Sequence, residues 1–282
     1  MKLAWATDIH LDFITNPEQL QASAHNLDLF CSSLLEDNPD CILLSGDISL
    51  SPHLQDHLLA LEARLDRSIY FVLGNHDFWD GSFESTRDKI TKLSNESGYL
   101  HYISSKPCMM LSSRTALVGH DGWYDGFYGD AQFSNVILND WLRISDYARA
   151  GVMVPGMRPN ISAILDISRN QAAMAARHVA AGIKKAIKQH GASHIVVLTH
   201  VPPFSECHRD TPKGSEALPW YSSKAMGDML LSAAKSFSNV TFEVFCGHSH
   251  SKFDDNITTN LICHVGGAQY AHPDSQGIFN FL

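Results

Sequence analysis

Five short apolar runs in this chain end in the same kind of chemistry. "LAWAT" leads into Asp8-Ile9-His10, "CILLS" into Gly46-Asp47, and "IYFVL" into Gly74-Asn75-His76-Asp77. "IVVLT" leads into His200, and "VTFEVFC" into Gly247-His248-Ser249-His250. Each run stops at oxygen or nitrogen donors, often behind a glycine that lets the backbone turn closely. Ligands in open α/β sheets gather at the carboxyl ends of the strands, so five such ends would deliver Asp, His and Asn to one place, with no sulfur among them. Carboxylate and imidazole together suit divalent metals of intermediate hardness. The candidate donors Asp8, His10, Asp47, Asn75, His200, His248 and His250 exceed what one ion needs and suffice for two that share a bridging carboxylate. Two ions roughly 3.5–4 Å apart can hold a bridging hydroxide and clamp the oxygens of an in-line displacement at phosphorus.

Spacing within two of these motifs adds to the case. Asp8 and His10 stand two apart, as do His248 and His250, and in extended backbone such residues project to the same side. Taken singly, each motif has a plainer meaning. A D-x-H after a strand is a common turn or cap, Gly-Asp a commoner one, and a solitary His200 a hydrogen-bonded core histidine. Asn, His and Asp in "GNHD" can satisfy one another locally. Joint occurrence, each motif behind an apolar run, leaves those meanings little room.

The elements that must position these residues are legible as runs and stripes. Branched and aromatic residues predict buried strands at Leu3–Ala6, Cys41–Leu44, Ile69–Leu73, Thr115–Val118, Ile195–Leu198, Val240–Phe245 and Leu261–Val265. Residues 18–37 carry Leu20, Ala24, Leu27, Cys31, Leu34 and Leu35, the stripe of an amphipathic helix. Similar stripes predict helices over 54–65, 161–190 and 223–236. Strands alternate with helices first and crowd together later, which predicts an α/β layered fold with mixed sheets. No repeat or linker divides residues 1–282, so one domain is expected. Residues 120–160 and 204–221 read as long excursions over one face, the kind of segment in which substrate selection resides.

Composition narrows the partners. The 282 residues are 44% hydrophobic and 18% charged, and no stretch approaches the roughly 18 apolar residues of a membrane span. The N-terminal "MKLAWATDIH" reaches Asp8 too early for a secretion signal, so a cytoplasmic protein without membrane attachment is expected. Cysteines at 31, 41, 108, 207, 246 and 263 form no C-x-x-C pair, which disfavours a zinc ribbon. Net charge is −9 with no basic stripe, which counts against a nucleic-acid partner.

In order, D-x-H, G-D, G-N-H-D, H and G-H-x-H resemble the motifs of the calcineurin-like metallophosphoesterase superfamily, over residues 8–250. The resemblance implies a four-layer α/β/β/α sandwich of two mixed sheets, and a dinuclear metal site. It implies that Asp8, His10, Asp47 and His250 hold one ion, and that a bridging Asp47 with Asn75, His200 and His248 holds the other. His76 would protonate the leaving oxygen or stabilise transition-state charge, and Asp77 would orient it. Such a chain hydrolyses a phosphoester, a small-molecule monoester or diester, by attack of metal-activated hydroxide. Mn or Fe is the favoured metal, with Zn or Ni also suited to these donors. A nuclease, or a non-catalytic scaffold, is the alternative on the same fold, and the full set of ligands favours catalysis.

Departures from related groups are informative. "GDISLS" and "VLGNHD" lack the arginines that phosphoprotein phosphatases place beside these motifs. Leu50 stands where purple acid phosphatases have a tyrosine ligand, and His76 where lipid A precursor hydrolases carry arginine. Phe78 and Trp79 follow the third motif, where class III cyclic-nucleotide phosphodiesterases often have arginine nearby. For the substrate, "HDGWYDG" offers His120, Trp123, Tyr124 and Asp125 as pocket residues, with an aromatic to stack on a base or sugar. Arg209 and Lys213 are candidates to meet a phosphate. His264 reads as structural, and Tyr270 and His272 as open.

Overall fold

A computed structural model describes residues 1–14, 20–208 and 215–281 of the chain. Two mixed sheets lie at its centre. The first runs in the order β11 (Gly277–Asn280), β1 (Lys2–Ala6), β2 (Cys41–Ser45), β3 (Ser68–Val72) and β4 (Leu100–Tyr102). The second runs β5 (Met109–Met110), β6 (Thr115–Gly119), β7 (His194–Leu198), β8 (Thr241–Cys246), β10 (Leu261–Val265) and β9 (Phe253–Thr258). Inner pairs are parallel, with Leu3 opposite Cys41 and Cys41 opposite Ser68. Only β11, β5 and β9, all at sheet edges, run antiparallel to their neighbours. All seven strands predicted from the sequence are present.

Side chains alternate across each strand, and the alternation builds the layers. Ala4, Ala6, Ile42, Leu44, Ile69 and Phe71 face helices α2 (Leu20–Leu35), α3 (Leu54–Leu65) and α4 (Phe83–Glu96). Their neighbours Leu3, Trp5, Cys41, Leu43 and Val72 turn inward and meet Leu117, Val196, Leu198 and Phe245 of the second sheet. Beyond that sheet, Ala116, Val118, Ile195, Val197, Phe242 and Val244 pack on α7 (Ile161–His190) and α8 (Lys224–Ser236). Three apolar interfaces thus join four layers, α/β/β/α, as expected. Leu43 in the middle interface is fully buried, and its truncation to Ala would cost about 2–5 kcal/mol.

Helix α7 shows how locally the boundaries are set. Asn160 accepts from the Ala163 backbone N–H at its start, and Gly191 ends it at φ 70°. Ala175, Val179, Ile183 and Ala186 form its buried stripe. The excursion after β6 folds back as two short helices, α5 (Asn139–Arg143) and α6 (Ser145–Arg149). With α1 (Leu11–Ile14) these are the remaining α-helices among the described residues.

Candidate metal centre

The carboxyl ends of β1, β2, β3, β7 and β8 meet at one rim of the sandwich. Backbone bonds stitch them together: Asp8 N–H to Gly46 C=O (3.0 Å), His10 N–H to Asp47 C=O (2.9 Å) and Gly247 N–H to His200 C=O (2.9 Å). The paired donors do not converge through extended backbone, as their spacing suggested. Asp8 (φ 49°), His10 (42°), Asp47 (51°), His248 (66°) and His250 (55°) all occupy the left-handed region. Asp and His tolerate that region better than branched residues, yet each visit carries strain on the order of 1–3 kcal/mol. The surrounding hydrogen bonds hold it. Two glycines make room: a Cβ on Gly74 would overlap the Asp47 carboxylate, and one on Gly247 would overlap that of Asp8.

Asn75, His200 and His248 form one half of the cluster. His200 Nδ1 lies 2.8 Å from the Ser45 carbonyl and His248 Nε2 lies 2.9 Å from that of Trp220. A carbonyl only accepts, so these nitrogens carry the protons. The opposite ring nitrogens turn toward Asn75 Oδ1, at 3.1 Å from His200 Nε2 and 2.9 Å from His248 Nδ1. Three potential ligand atoms therefore face one point, with an Asp47 oxygen 3.4 Å from His200 Nε2. Metal-bound histidines are oriented in this way, by a hydrogen bond from the ring nitrogen that is not ligating.

Asp8, His10 and His250 form the other half. Their ligand atoms lie within 4.8 Å of one another, and so do those of Asp8, Asp47 and His200. His250 Nε2 is 3.4 Å from Asp8 Oδ1, and His10 Nε2 is 3.2 Å from His250 Nε2 and 3.8 Å from Asp47 Oδ2. Asp47 is thus in reach of both halves. The local field is negative. Burial alone would raise Asp47, but His200 and His76 hold its carboxyl well below the usual range. Burial alone would lower His200, and Asp47 and Asp8 push it instead to about 10. A field that raises an imidazole this far favours any cation there. The donor set, all nitrogen and oxygen atoms converging on one rim, fits a divalent cation.

His76 stacks on Trp79 with ring centroids 3.5 Å apart, and burial lowers its pKa to about 3. Its ligand atom also groups with those of His10 and Asp47 within 4.8 Å. The expectation that Asp77 orients the His76 ring is not what its hydrogen bonds show. Its oxygens accept from the backbone N–H groups of Ile48 (2.9 Å), Ser49 (2.7 Å) and Gly74 (2.7 Å). Buried amides need partners, and Asp77 supplies them while tying the β2 and β3 loops together.

A cavity of about 430 Å³ opens over the cluster. Asp47, Asn75, His76, His248 and His250 form its floor, and Trp79, Ile137, Leu138, Trp220, Tyr221 and Tyr270 its walls. His120, Trp123, Tyr124 and Asp125, expected to line it, are instead buried behind it. Trp123 donates to Tyr147 (2.9 Å), Tyr124 to Asp140 (3.0 Å), and Asp125 accepts from Ala225 N–H (2.8 Å). His120 Nδ1 accepts from Gly122 N–H at 3.3 Å. Aromatic bulk on this segment serves packing rather than stacking on a ligand. Both long excursions do reach the cavity, through Ile137–Asp140 and through Trp220 and Tyr221. Tyr270, left open by the sequence, packs on His10 (4.6 Å) and His250 (4.9 Å). Arg209 and Lys213 lie outside the described residues. His264 lies between Glu243 and Asp254, away from the cavity.

The calcineurin-like phosphoesterase family matches residues 1–252, and the chain belongs to it. It is a phosphoester hydrolase. No curated protein matches the chain in sequence. Solved structures share the fold. Phosphopantetheinyl hydrolase from Mycobacterium tuberculosis is 15% identical at a TM-score of 0.62, with 97% of this chain and 95% of that one covered. A dimetal phosphatase from Danio rerio is also 15% identical, at 0.55, with 95% and 87% covered. No described helix is long and apolar enough to cross a membrane.

Proposed function

We propose that the protein hydrolyses a small-molecule phosphoester with two divalent metal ions bound at this rim. The observation that carries the proposal is the convergence of Asn75 Oδ1, His200 Nε2 and His248 Nδ1 beside the Asp47 carboxylate. Asp8, His10, Asp47 and His250 hold one ion; Asp47, Asn75, His200 and His248 hold the other. Bound there, the ions supply Lewis acidity, lowering the pKa of water and neutralising phosphate charge. Asp47 serves both, so one negative charge is shared. Asn75 contributes an oxygen without a further charge, which preserves the attraction for an anionic ester. His76 faces the cavity and offers its ring N–H to the leaving oxygen. Trp79, Trp220, Tyr221 and Tyr270 give the leaving group an aromatic surround. Mn or Fe is the favoured metal, and the donors also accommodate Zn or Ni.

The test is hydrolysis of bis(p-nitrophenyl) phosphate and p-nitrophenyl phosphate by chelator-stripped protein with Mn²⁺ added back, and with Asp47→Asn as control. Metal-dependent turnover that disappears in the variant is the expected result, and the preferred ester separates diesterase from monoesterase. Turnover indifferent to chelation and to Asp47→Asn would overturn the proposal.

A further inference from the structure

Asp140 stands in α5, within the excursion after β6, and its carboxylate is buried against the back of the ligand cluster. Oδ1 accepts from Asn75 Nδ2 at 2.9 Å and from Trp79 Nε1 at 2.7 Å. Oδ2 accepts from the Tyr124 hydroxyl at 3.0 Å, which itself accepts from Trp141 Nε1 at 3.1 Å. An indole N–H can only donate, so Oδ1 is an acceptor. The Asn75 group facing it must be the NH₂.

That direction has a competitor. On its other side Asn75 meets His200 Nε2 (3.1 Å) and His248 Nδ1 (2.9 Å), on rings whose N–H groups are committed to carbonyls. Half a turn of the amide would put its NH₂ between those two nitrogens. With both rings neutral, as metal ligation requires, the turned amide would satisfy them itself and leave no oxygen for a cation. An asparagine side chain takes whichever direction its partners dictate. With Asp140 in place, the turned amide would set oxygen against oxygen and leave the NH₂ side of the bargain to two nitrogens alone.

We infer that Asp140 is a positioning residue that holds the Asn75 amide oxygen toward the cation site. The lone pairs of Asn75, His200 and His248 are then relieved by a cation and not by one another. Because the same oxygen grips Trp79, whose ring lies against His76, one side chain sets both a ligand and the candidate proton donor. The inference rests on the metal-centre reading proposed above.

The experiment is calorimetric titration of Mn²⁺ into chelator-stripped full-length protein, paired with visible spectra of the Co²⁺-loaded forms. Asp140→Leu is expected to weaken one of the two ions by about 10–100-fold, the range for groups that orient a metal ligand, and to shift the Co²⁺ bands. Asp140→Asn keeps an acceptor oxygen for Asn75 and Trp79, because two donors there fix its direction, and is expected to bind like the wild type. Thermal unfolding of the metal-free proteins separates weaker binding from a damaged fold. Equal affinity in the wild type and Asp140→Leu would overturn the inference. So would equal weakening in Asp140→Leu and Asp140→Asn, which would assign the effect to charge. If Asp140→Leu fails to fold, Asp140→Ser, too short to reach Asn75, decides: wild-type affinity and spectra overturn the inference, and weakened binding with shifted Co²⁺ bands supports it. A wild type that binds no pair of ions would instead overturn the metal-centre reading itself.

Discussion

On one side of Asp47 every donor is anchored by a group outside the cluster; on the other only Asp8 is, by the Thr7 hydroxyl (2.7 Å) and the His248 backbone N–H (2.9 Å), while its two histidines rest on one another. Asn75 is held by Asp140, His200 by the Ser45 carbonyl and His248 by that of Trp220. Across the bridge, His10 Nδ1 is buried with no hydrogen-bond partner among the described residues. The His250 side chain there is 22% exposed and leans on the Tyr270 ring. Groups held in place before a ligand arrives lose little freedom when it binds. The Asn75 half should therefore take its ion first and hold it harder, while the His10 half should adjust and exchange.

The largest break removes what the halves share. Asp47→Asn should lower turnover to that of chelated protein, with both ions lost in metal analysis. His76→Ala comes next: turnover should fall by about 10²–10⁴-fold, the range for a proton-transfer group, with two ions retained. Loss of an ion in that variant would move His76 into the ligand set, beside His10 and Asp47. The comparison sharpens with His248→Ala against His250→Ala. The first should weaken the tight ion by more than about tenfold, and the second should recover activity when Mn²⁺ is raised. Calorimetry that ranks them in reverse would contradict the unequal halves.

The smallest effect lies outside the site. Burial alone would raise Glu243, but the imidazoles of His194 (3.2 Å) and His264 (3.8 Å) outweigh it and bring its pKa from 4.5 to about 2. A depressed carboxylate stabilises the fold above its unfolded pKa, and the contribution fades as pH falls from about 4.5 to about 2. Glu243→Gln should lower the Tm at neutral pH, converge with the wild type near pH 2, and leave Mn²⁺ affinity unchanged.

Strands buried on both faces were readable as continuous apolar runs, so the ligand-bearing strands emerged with their motifs attached. β9, "FDDNIT", is mostly exposed and gives no such run, and β4 and β5 are only three and two residues long. Helix α4, "FESTRDKITKLSNE", was missed because its buried stripe includes Thr86 and Ser94; only the Ser82 cap hinted at it. Spacing found the donor pairs without revealing their backbone, since Asp and His are the residues that tolerate left-handed φ. Asp140 had no signature at all. Its role exists only once α5 folds back against β3's loop, a contact between residues 65 positions apart.

Each half of the cluster draws on both sheets. Asn75 follows β3 of the first sheet, while His200 and His248 follow β7 and β8 of the second; Asp8 and His10 follow β1, while His250 follows β8. A bound ion is therefore a rivet through the sandwich, and the two layers cannot slide apart without releasing it. Resistance to heat should rise with free metal by RT ln(1 + [M]/Kd), so the protein's unfolding temperature doubles as a gauge of the metal around it.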